Sequence, residues 1–176
     1  MKTNFKPNKA IFLDRDGVLN VERGQHTFRL EDFEIRPQVP EALRLWKTAG
    51  YHIIVVTNQS GIARKLYTRD QMEACHSRLH EATDFVIDAI YYSPYHESVT
   101  QSLGRKPGTL LFERALARFA INPQRSWMLG DKERDLIPAQ ALGMQTIMIG
   151  EEPTQLDLAL RTDDLMVAAE YVLAMG

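Results

Sequence analysis

Two aspartates stand one residue apart in the stretch "IFLDRDGVLN", residues 11–20. The apolar residues 11–13 lead directly into Asp14 and Asp16, so both carboxylates follow what reads as a buried strand. Carboxylates this close repel each other and resist desolvation. A hard divalent cation would offset that cost, and carboxylate oxygens are ligands that Mg²⁺ prefers. The pair therefore indicates a magnesium site.

Three more polar stretches follow strand-like runs: "VTNQSG", "GRKPG" and "LGDKERD". With the first stretch they supply four carboxylates, a hydroxyl, an amide and two cations. These side chains are Asp14, Asp16, Asp131, Asp135, Thr57, Asn58, Arg105 and Lys106. A magnesium ion, a hydroxyl and a lysine gathered in one place can bind a phosphoryl group and stabilise its developing charge.

The two aspartates can divide the work at such a site. Asp14, the last residue of the strand, is suited to be a covalent nucleophile at phosphorus. Asp16 lies beyond a turn, where it can protonate the leaving oxygen and later deprotonate the attacking water. Gly17 gives that turn its backbone freedom. Asp135 has two open interpretations: a partner behind the metal ligands, or an acid favoured by the dipole of a helix N-terminus.

Short apolar runs that must position these groups alternate with amphipathic ones. Strands are predicted at Lys9–Leu13, His52–Val56, Ala89–Tyr92, Ser126–Leu129 and Thr146–Ile149. Helices are predicted at Val39–Ala49, Thr68–Thr83, Pro107–Phe119, Glu133–Leu142 and Asp163–Ala174, with Thr68 and Gln71 forming a capping box. The alternation predicts an α/β fold with a single doubly wound parallel sheet of Rossmann type. Its first strand should be central, with the site at the carboxyl ends of the strands.

Residues 1–176 should form a single domain. Between Asp16 and Thr57 the chain offers only an irregular excursion, Asn20–Gln38, and one helix. Between Thr57 and Lys106 it offers a helix, a strand and a short polar loop. Neither interval has room for a separate cap domain, so we expect an open site.

Composition narrows the class of protein. The formal net charge of −2 gives no reason to expect a nucleic-acid partner. The one cysteine, Cys75, excludes an internal disulfide and an all-cysteine metal site. No apolar run approaches a membrane span, and Ala10–Leu13 is too short for the core of a signal peptide. We therefore expect a cytoplasmic protein, without a membrane partner, that is a monomer or weak oligomer.

The motifs "DRDGVLN", "VTNQSGIAR", "RKPG" and "GDKERD", in this order, resemble those of the haloacid dehalogenase superfamily of phosphohydrolases. The resemblance covers about residues 10–149 and includes "DAIYYSP". Within the superfamily it is greatest to the D-glycero-D-manno-heptose 1,7-bisphosphate phosphatases, with histidinol-phosphate phosphatases as near relatives. It implies hydrolysis of a phosphate monoester, with the 7-phosphate of the heptose bisphosphate as the favoured target. Histidinol phosphate and other sugar phosphates are the alternatives.

The resemblance also implies roles for individual residues. Asp14 would be the nucleophile and Asp16 the general acid–base, and Thr57 and Lys106 would stabilise the phosphoryl group. Mg²⁺ would be held by the Asp14 and Asp131 side chains and the Asp16 backbone carbonyl. The substrate-binding candidates are Asn20, Arg23, Asn58, Arg64 and Arg105. A second phosphate on the substrate needs its own cation, and the planar guanidinium of Arg105 is the first choice.

One departure from the family pattern concerns zinc. The family usually carries a zinc-binding loop of the form Cys-x-His, then Cys-x-Cys before Arg-Lys-Pro. Ser93, Tyr95, Ser102 and Gly104 stand at those positions here. None of them offers a thiolate or an imidazole, and His96 alone cannot complete a tetrahedral site. We therefore expect Mg²⁺ and no structural zinc.

A rival from another class is a receiver-type phosphoacceptor domain, which also uses aspartates, Mg²⁺, a hydroxyl and a lysine on a doubly wound sheet. That class resembles this chain less. In a receiver domain the acids after the first strand would be adjacent, and the lysine would follow a late strand. Here Arg15 separates the acids, and Lys106 precedes the last two predicted strands.

Overall fold

The computed structural model describes residues 8–176. The prediction that the chain has no signal peptide rests partly on residues 1–7, which lie outside the described residues. The described strands are β1 (Lys9–Leu13), β2 (Tyr51–Asn58), β3 (Ala89–Ser93), β4 (Trp127–Gly130), β5 (Gln145–Ile149) and β6 (Leu160–Thr162). They form one parallel sheet in the order β3-β2-β1-β4-β5-β6. The α/β prediction and the central position of β1 are confirmed.

The helices are α1 (Val39–Thr48), α2 (Arg69–Ala82), α3 (Leu110–Phe119), α4 (Glu133–Ala141) and α5 (Leu165–Met175). They cover both faces of the sheet. Ile11 and Leu13 of β1 pack in one apolar cluster with α1, α2 and α5, whereas Ala10 and Phe12 pack in another with α3 and α4. Successive side chains of a strand point to opposite faces, so β1 is buried on both sides and reads as a continuous apolar run.

Two features differ from the prediction. The α3 helix begins at Leu110 rather than Pro107, because a turn closed by the Gly108 N–H on the Arg105 carbonyl precedes it. The short edge strand β6 was not predicted, since three residues between polar segments give no apolar run. The capping box of Thr68 and Gln71 is confirmed at the start of α2.

The intervals that flank the site contain little secondary structure of their own. Between β1 and α1 the described chain has one 3-10 helix, Leu30–Asp32, and Phe33 anchors this segment in the core. Between β3 and α3 it has a loop whose middle is exposed. Among the described helices, none is long and apolar enough to cross a membrane.

Candidate active site

The site is built where three neighbouring strands end together. Leu13 of β1 pairs with Val55 of β2 and with Leu129 of β4. Residues that directly follow these positions therefore emerge at one edge of the sheet. This register brings Asp14, Thr57 and Asp131 to the same place, as the sequence predicts.

The Lys106 ammonium group lies behind Asp14 and is almost fully buried. Its Nζ is 2.9 Å from Asp14 Oδ1 and 2.7 Å from Asp135 Oδ1, and it donates to the Val56 carbonyl at 2.6 Å. The Val56 carbonyl accepts one hydrogen of the ammonium, and the two carboxylates form ion pairs with it. Lys106 therefore holds the Asp14 carboxylate in place, in addition to the phosphoryl contact that the resemblance implies.

Asn58 binds the backbone of Lys106 at both ends of its amide. Asn58 Nδ2 donates to the Lys106 carbonyl at 3.1 Å, and Asn58 Oδ1 accepts from the Lys106 N–H at 3.0 Å. Asn58 also lines the cleft above the site. The sequence predicted a substrate contact for Asn58, whereas its amide in this structure fixes the loop that delivers Lys106.

Asp14, Asp131 and Asp135 form a carboxylate cluster, with one oxygen of each within 4.8 Å of the others. Lys106 contacts Asp14 and Asp135, and Lys132 Nζ lies 3.9 Å from Asp131 Oδ2, so three carboxylates face two ammonium groups. Burial, with the charges of Asp14 and Asp135, raises the pKa of Asp131 to about 8. Burial and Asp135 likewise raise the pKa of Asp14 to about 6, against the opposing pull of Lys106.

One oxygen of the cluster is suited to a cation. Asp131 Oδ1 is buried and has no hydrogen-bond partner among residues 8–176. The Gly17 backbone has φ +85° and approaches so closely that a Cβ there would lie 2.4 Å from Asp131 Oδ2. Glycine is therefore required beside this carboxylate. These residues fit a hard divalent ion such as Mg²⁺, which would take the unpaired oxygen as a ligand and balance the charge.

Asp135 belongs to this cluster as well as to the helix. It is fully buried, and its Oδ2 accepts from the Lys132 N–H at the start of α4 at 3.1 Å. The other oxygen contacts Lys106. Asp135 thus lies both in the carboxylate cluster and in the first turn of α4, and its role behind the metal ligands stays a prediction.

Asp16 lies on the other side of the turn and forms part of the cleft wall. Its carboxylate accepts from Arg15 Nη2 at 2.9 and 3.0 Å, from Asn20 Nδ2 at 3.1 Å and from Gln59 Nε2 at 3.0 Å. Arg15 is itself fully buried and also donates to the Thr27 carbonyl. The proposed acid–base group is thus held by three side chains. The predicted metal contact of its backbone carbonyl stays a prediction.

A polar cleft of about 600 Å³ opens above these residues. Its lining includes the cationic side chains Arg64, Arg105, Lys132 and Arg134, together with His26 and His96. Such a wall is suited to a ligand that carries negative charge beyond the reacting group. Lys132 also forms an ion pair with Glu152 at 2.8 Å.

The predicted substrate residues divide into two groups. Arg64 and Arg105 line the cleft. Arg23 does not, because its guanidinium pairs with Asp32 at 2.8 Å within the excursion. Asn20 is buried beneath Asp16 and donates to it, so it supports the acid–base group rather than lining the cleft. Contact of these two residues with the substrate stays a prediction.

Sequence reasoning missed four residues of the site. Gln59 donates to Asp16, and Tyr67 donates to Gln59. Lys132 and Arg134 add positive charge to the cleft. Gln59, Lys132 and Arg134 stand inside the quoted motifs, so their position was a usable signal. Tyr67 lies outside any motif, and nothing in the sequence indicates its hydroxyl contact.

The loop that replaces the zinc-binding segment is held by other contacts. Arg105 Nη1 donates to the Tyr95 carbonyl at 3.3 Å, and Arg105 Nε is 3.6 Å from Glu97 Oε2. The His96 ring accepts from the Ser98 N–H at 3.1 Å. Arg105 thus connects the loop to the motif that carries Lys106.

Comparison with known families agrees with this geometry. The family model described as polynucleotide kinase 3 phosphatase matches residues 9–136. The one described as HAD-hydrolase-like matches residues 103–172. The two ranges together contain every residue of the site described above.

Curated relatives are identical to this chain at 34 to 41% of the aligned residues. A D-glycero-beta-D-manno-heptose-1,7-bisphosphate 7-phosphatase of Haemophilus influenzae is 41% identical, over 73% of this chain and 74% of the relative. The enzyme of the same name from Pasteurella multocida is 34% identical, over 94% of this chain and 91% of the relative.

Solved structures give the same family. The D,D-heptose 1,7-bisphosphate phosphatase of B. bronchiseptica, complexed with magnesium and phosphate, is similar with a TM-score of 0.86 and 26% identity, over 96% of this chain and 99% of that one. A HAD-like phosphatase from Mesorhizobium loti has a TM-score of 0.82 and 29% identity, over 98% and 90% of the two chains. Since sequence motifs, fold and relatives agree, this chain belongs to the haloacid dehalogenase superfamily of phosphatases.

Proposed function

We propose that this protein is a Mg²⁺-dependent phosphatase that hydrolyses a phosphate monoester of a small metabolite through an aspartyl-phosphate. The favoured reaction is removal of the 7-phosphate from D-glycero-D-manno-heptose 1,7-bisphosphate. The observation that carries the proposal is the carboxylate cluster of Asp14, Asp131 and Asp135 around one buried lysine, next to a cationic cleft whose lining includes Asp16 and Lys132.

The cluster also defines the metal requirement. Asp14 and Asp131 would hold Mg²⁺, with Asp135 behind them. When bound, the ion would offset the charge of the carboxylates and of the phosphoryl oxygens. Without it, three carboxylates and two ammonium groups would repel an incoming phosphate dianion.

The chain's own residues suffice for the proton and bond changes. Asp14 Oδ attacks phosphorus, the P–O bond to the leaving group breaks, and Asp16 gives its proton to the departing oxygen. Asp16, now a carboxylate, takes a proton from water, and that water attacks phosphorus and releases Asp14. Inorganic phosphate leaves, and Asp16 holds a proton again. Lys106 orients Asp14 throughout, and the Thr57 hydroxyl donates to a phosphoryl oxygen.

The cleft supports a substrate with a second anionic group. Four cationic side chains line it beyond the reacting centre, and Arg105 and Arg64 are the two that the sequence predicts. The relatives act, by name, on a heptose that carries phosphates at both ends. A bisphosphate would place one phosphate at Asp14 and the other against this wall.

A phosphate-release screen with Mg²⁺ tests the proposal. The panel contains heptose 1,7-bisphosphate, histidinol phosphate, and sugar mono- and bisphosphates. It also contains a 3′-phosphorylated oligonucleotide, because one matching family model is described as polynucleotide kinase 3 phosphatase. We expect the highest kcat/KM on the heptose bisphosphate. Preference for histidinol phosphate or the oligonucleotide would replace the substrate assignment. Stable phosphorylation of Asp14 without turnover would favour the receiver alternative.

Three further expectations belong to this proposal. We propose a cytoplasmic enzyme that acts as a monomer or weak oligomer, which fractionation and light scattering can test. Serine, tyrosine and glycine at the family's zinc positions support activity without zinc. One tightly held zinc per chain in elemental analysis would contradict that expectation.

A further inference from the structure

Gln59 makes a hydrogen bond at every polar position of its amide. It is 1% exposed, and its Nε2 donates to Asp16 Oδ2 at 3.0 Å and to Thr57 Oγ1 at 2.9 Å. Its Oε1 accepts from the Tyr67 hydroxyl at 2.8 Å. A primary amide has two hydrogens, and here each goes to a different group of the proposed reaction.

Tyr67 holds the end of the amide that points away from Asp16. The ionised Asp16 can only accept, so the Nε2 end faces it, and the Tyr67 hydroxyl holds the opposite end by donating to Oε1. Burial raises the pKa of Tyr67 to about 12, so the hydroxyl keeps its proton. The ring stacks on Phe28 at 5.0 Å and lies so close to Gly61 that a Cβ there would be 2.1 Å from the ring. Tyr67 is therefore rigidly placed.

This arrangement has a consequence for the Thr57 hydroxyl. Its oxygen accepts from Gln59, and in the described part of the chain its hydrogen has no acceptor. That hydrogen is free to donate to a phosphoryl oxygen, as the reaction requires. The same amide donates to the Asp16 carboxylate, which lines the cleft.

We propose that Gln59, oriented by Tyr67, is a positioning residue that aligns Asp16 with the leaving oxygen and Thr57 with the phosphoryl group. The inference rests on the proposed function. It assigns to Gln59 and Tyr67 a role in the acid step that neither sequence motifs nor relatives' names give them.

A leaving-group comparison tests the alignment of Asp16. Loss of a sugar alkoxide needs a proton from Asp16, whereas 4-nitrophenolate is stable enough to leave without one. The kcat/KM value reports the steps up to aspartyl-phosphate formation. Gln59→Leu should therefore lower kcat/KM about 10- to 100-fold on the best sugar phosphate, a part of the ~10²–10⁴-fold that a general acid contributes. On 4-nitrophenyl phosphate we expect a loss of less than about 5-fold from the Thr57 contact alone.

Two variants make the test specific. Gln140→Leu is the matched control, because Gln140 Nε2 donates to Thr146 Oγ1 at 2.8 Å outside the site. It should lower thermal stability and leave the ratio of the two substrates unchanged. Tyr67→Phe keeps the ring and removes only the hydroxyl, and should shift the ratio in the same direction by about 3- to 10-fold. If Gln59→Leu does not fold, Tyr67→Phe tests the proposal in its place.

The outcomes separate the two proposals. Equal losses on both substrates, or a ratio no different from that of Gln140→Leu, would overturn the positioning role while wild-type activity stands. A wild-type protein that releases phosphate from neither substrate would overturn the proposed function itself. Added to Asp16→Asn, Gln59→Leu should lower kcat/KM on the sugar phosphate by no more than the factor of about 5 that belongs to the Thr57 contact, because the Asp16 acid is already gone.

Discussion

The buried cluster of Asp14, Asp131, Asp135 and Lys106, here called the floor, differs from the cationic residues that line the cleft, here called the rim, in how its charged groups are held. On the floor, Asp14, Lys106 and Asp135 are each less than 5% exposed and make direct contacts across three segments of the chain. On the rim, Arg105 pairs with Glu97, whose side chain is 73% exposed. Buried pairs are costly to break, whereas exposed pairs contribute about 0–1 kcal/mol. The floor is therefore preorganised for one reaction, and the rim can exchange its partners for those of a ligand.

The largest expected effect tests the floor. Asp14→Asn should lower kcat at least about 10⁴-fold, because an amide cannot form the aspartyl-phosphate. The protein should still fold, since the change is nearly isosteric and Lys106 keeps Asp135 and the Val56 carbonyl. The measurements are phosphate release and the melting temperature in EDTA at pH 7.

The melting temperature provides an independent check on this variant. Burial and Asp135 raise the pKa of Asp14 to about 6 in the folded state, so ionised Asp14 destabilises the metal-free fold at pH 7. Asp14→Asn should therefore melt at the wild-type temperature or above it. Activity near wild type would end the covalent mechanism, and collapse of the fold would contradict the isosteric replacement.

Removal of the metal should abolish activity and alter the pH dependence of stability. EDTA should stop phosphate release, and excess Mg²⁺ should restore it. Asp131 has a folded pKa of about 8, above its unfolded value, so the unfolded chain binds fewer protons between pH 4 and 8. The stability of the metal-free protein should therefore fall as the pH rises through this range. Mg²⁺ should reverse the fall, because it binds the ionised form.

Melting curves at pH 6 and pH 8, with EDTA or with Mg²⁺, measure this effect. We expect Mg²⁺ to raise the melting temperature at least about 3 °C more at pH 8 than at pH 6. Asp131→Asn should flatten the pH dependence, whereas Asp84→Asn, at an exposed position, should not. Equal stabilisation at both pH values would contradict the assignment of Asp131 to the metal.

The floor was far easier to predict from sequence than the rim. Asp14, Thr57 and Asp131 follow strands whose apolar runs mark their ends, and parallel pairing then brings them together without knowledge of any side-chain conformation. The partners of individual side chains were harder to predict from the sequence. Asn58 follows Thr57 and Asn20 lies four residues after Asp16, yet the structure directs both inward as supports.

The partner of Arg23 could not be predicted for the same physical reason. Its guanidinium reaches Asp32 within the same excursion, and a local ion pair of this kind depends on the path of an irregular segment. No periodicity specifies that path. Tyr67 was missed for a similar reason, since its contact with Gln59 follows from the close approach of its ring to Gly61.

A moderate effect is expected at the rim. Arg105→Ala removes a charge-assisted contact with the distal phosphate, which should cost about 10- to 150-fold in kcat/KM for the bisphosphate. For a monophosphate that lacks the distal group, kcat/KM should fall much less. Arg23→Ala is the matched control, because this arginine pairs with Asp32 and does not line the cleft. It should change either value less than about 2-fold.

The two substrates distinguish the possible positions of the Arg105 contact. Equal losses on bisphosphate and monophosphate would place Arg105 at the reacting phosphate. No loss on either would return it to a role in holding the 95–104 loop, through the Tyr95 carbonyl that it binds.

The smallest effect is expected at Glu97, and its sign is opposite. Its carboxylate lies 3.6 Å from Arg105 Nε, where it competes with a ligand phosphate for the same guanidinium. An exposed ion pair contributes about 0.2–1 kcal/mol, so Glu97→Gln should raise kcat/KM for the bisphosphate about 1.4- to 5-fold, mainly through KM. The gain should shrink at high salt, which screens the competing charge. Glu170→Gln, an exposed acid on α5, is the control and should cause no gain. The gain should also disappear when Arg105 is already alanine, because the competition needs both side chains. A gain that persists without Arg105 would mean that Glu97 repels the substrate directly, and the rim would then select by charge density rather than by exchange of partners.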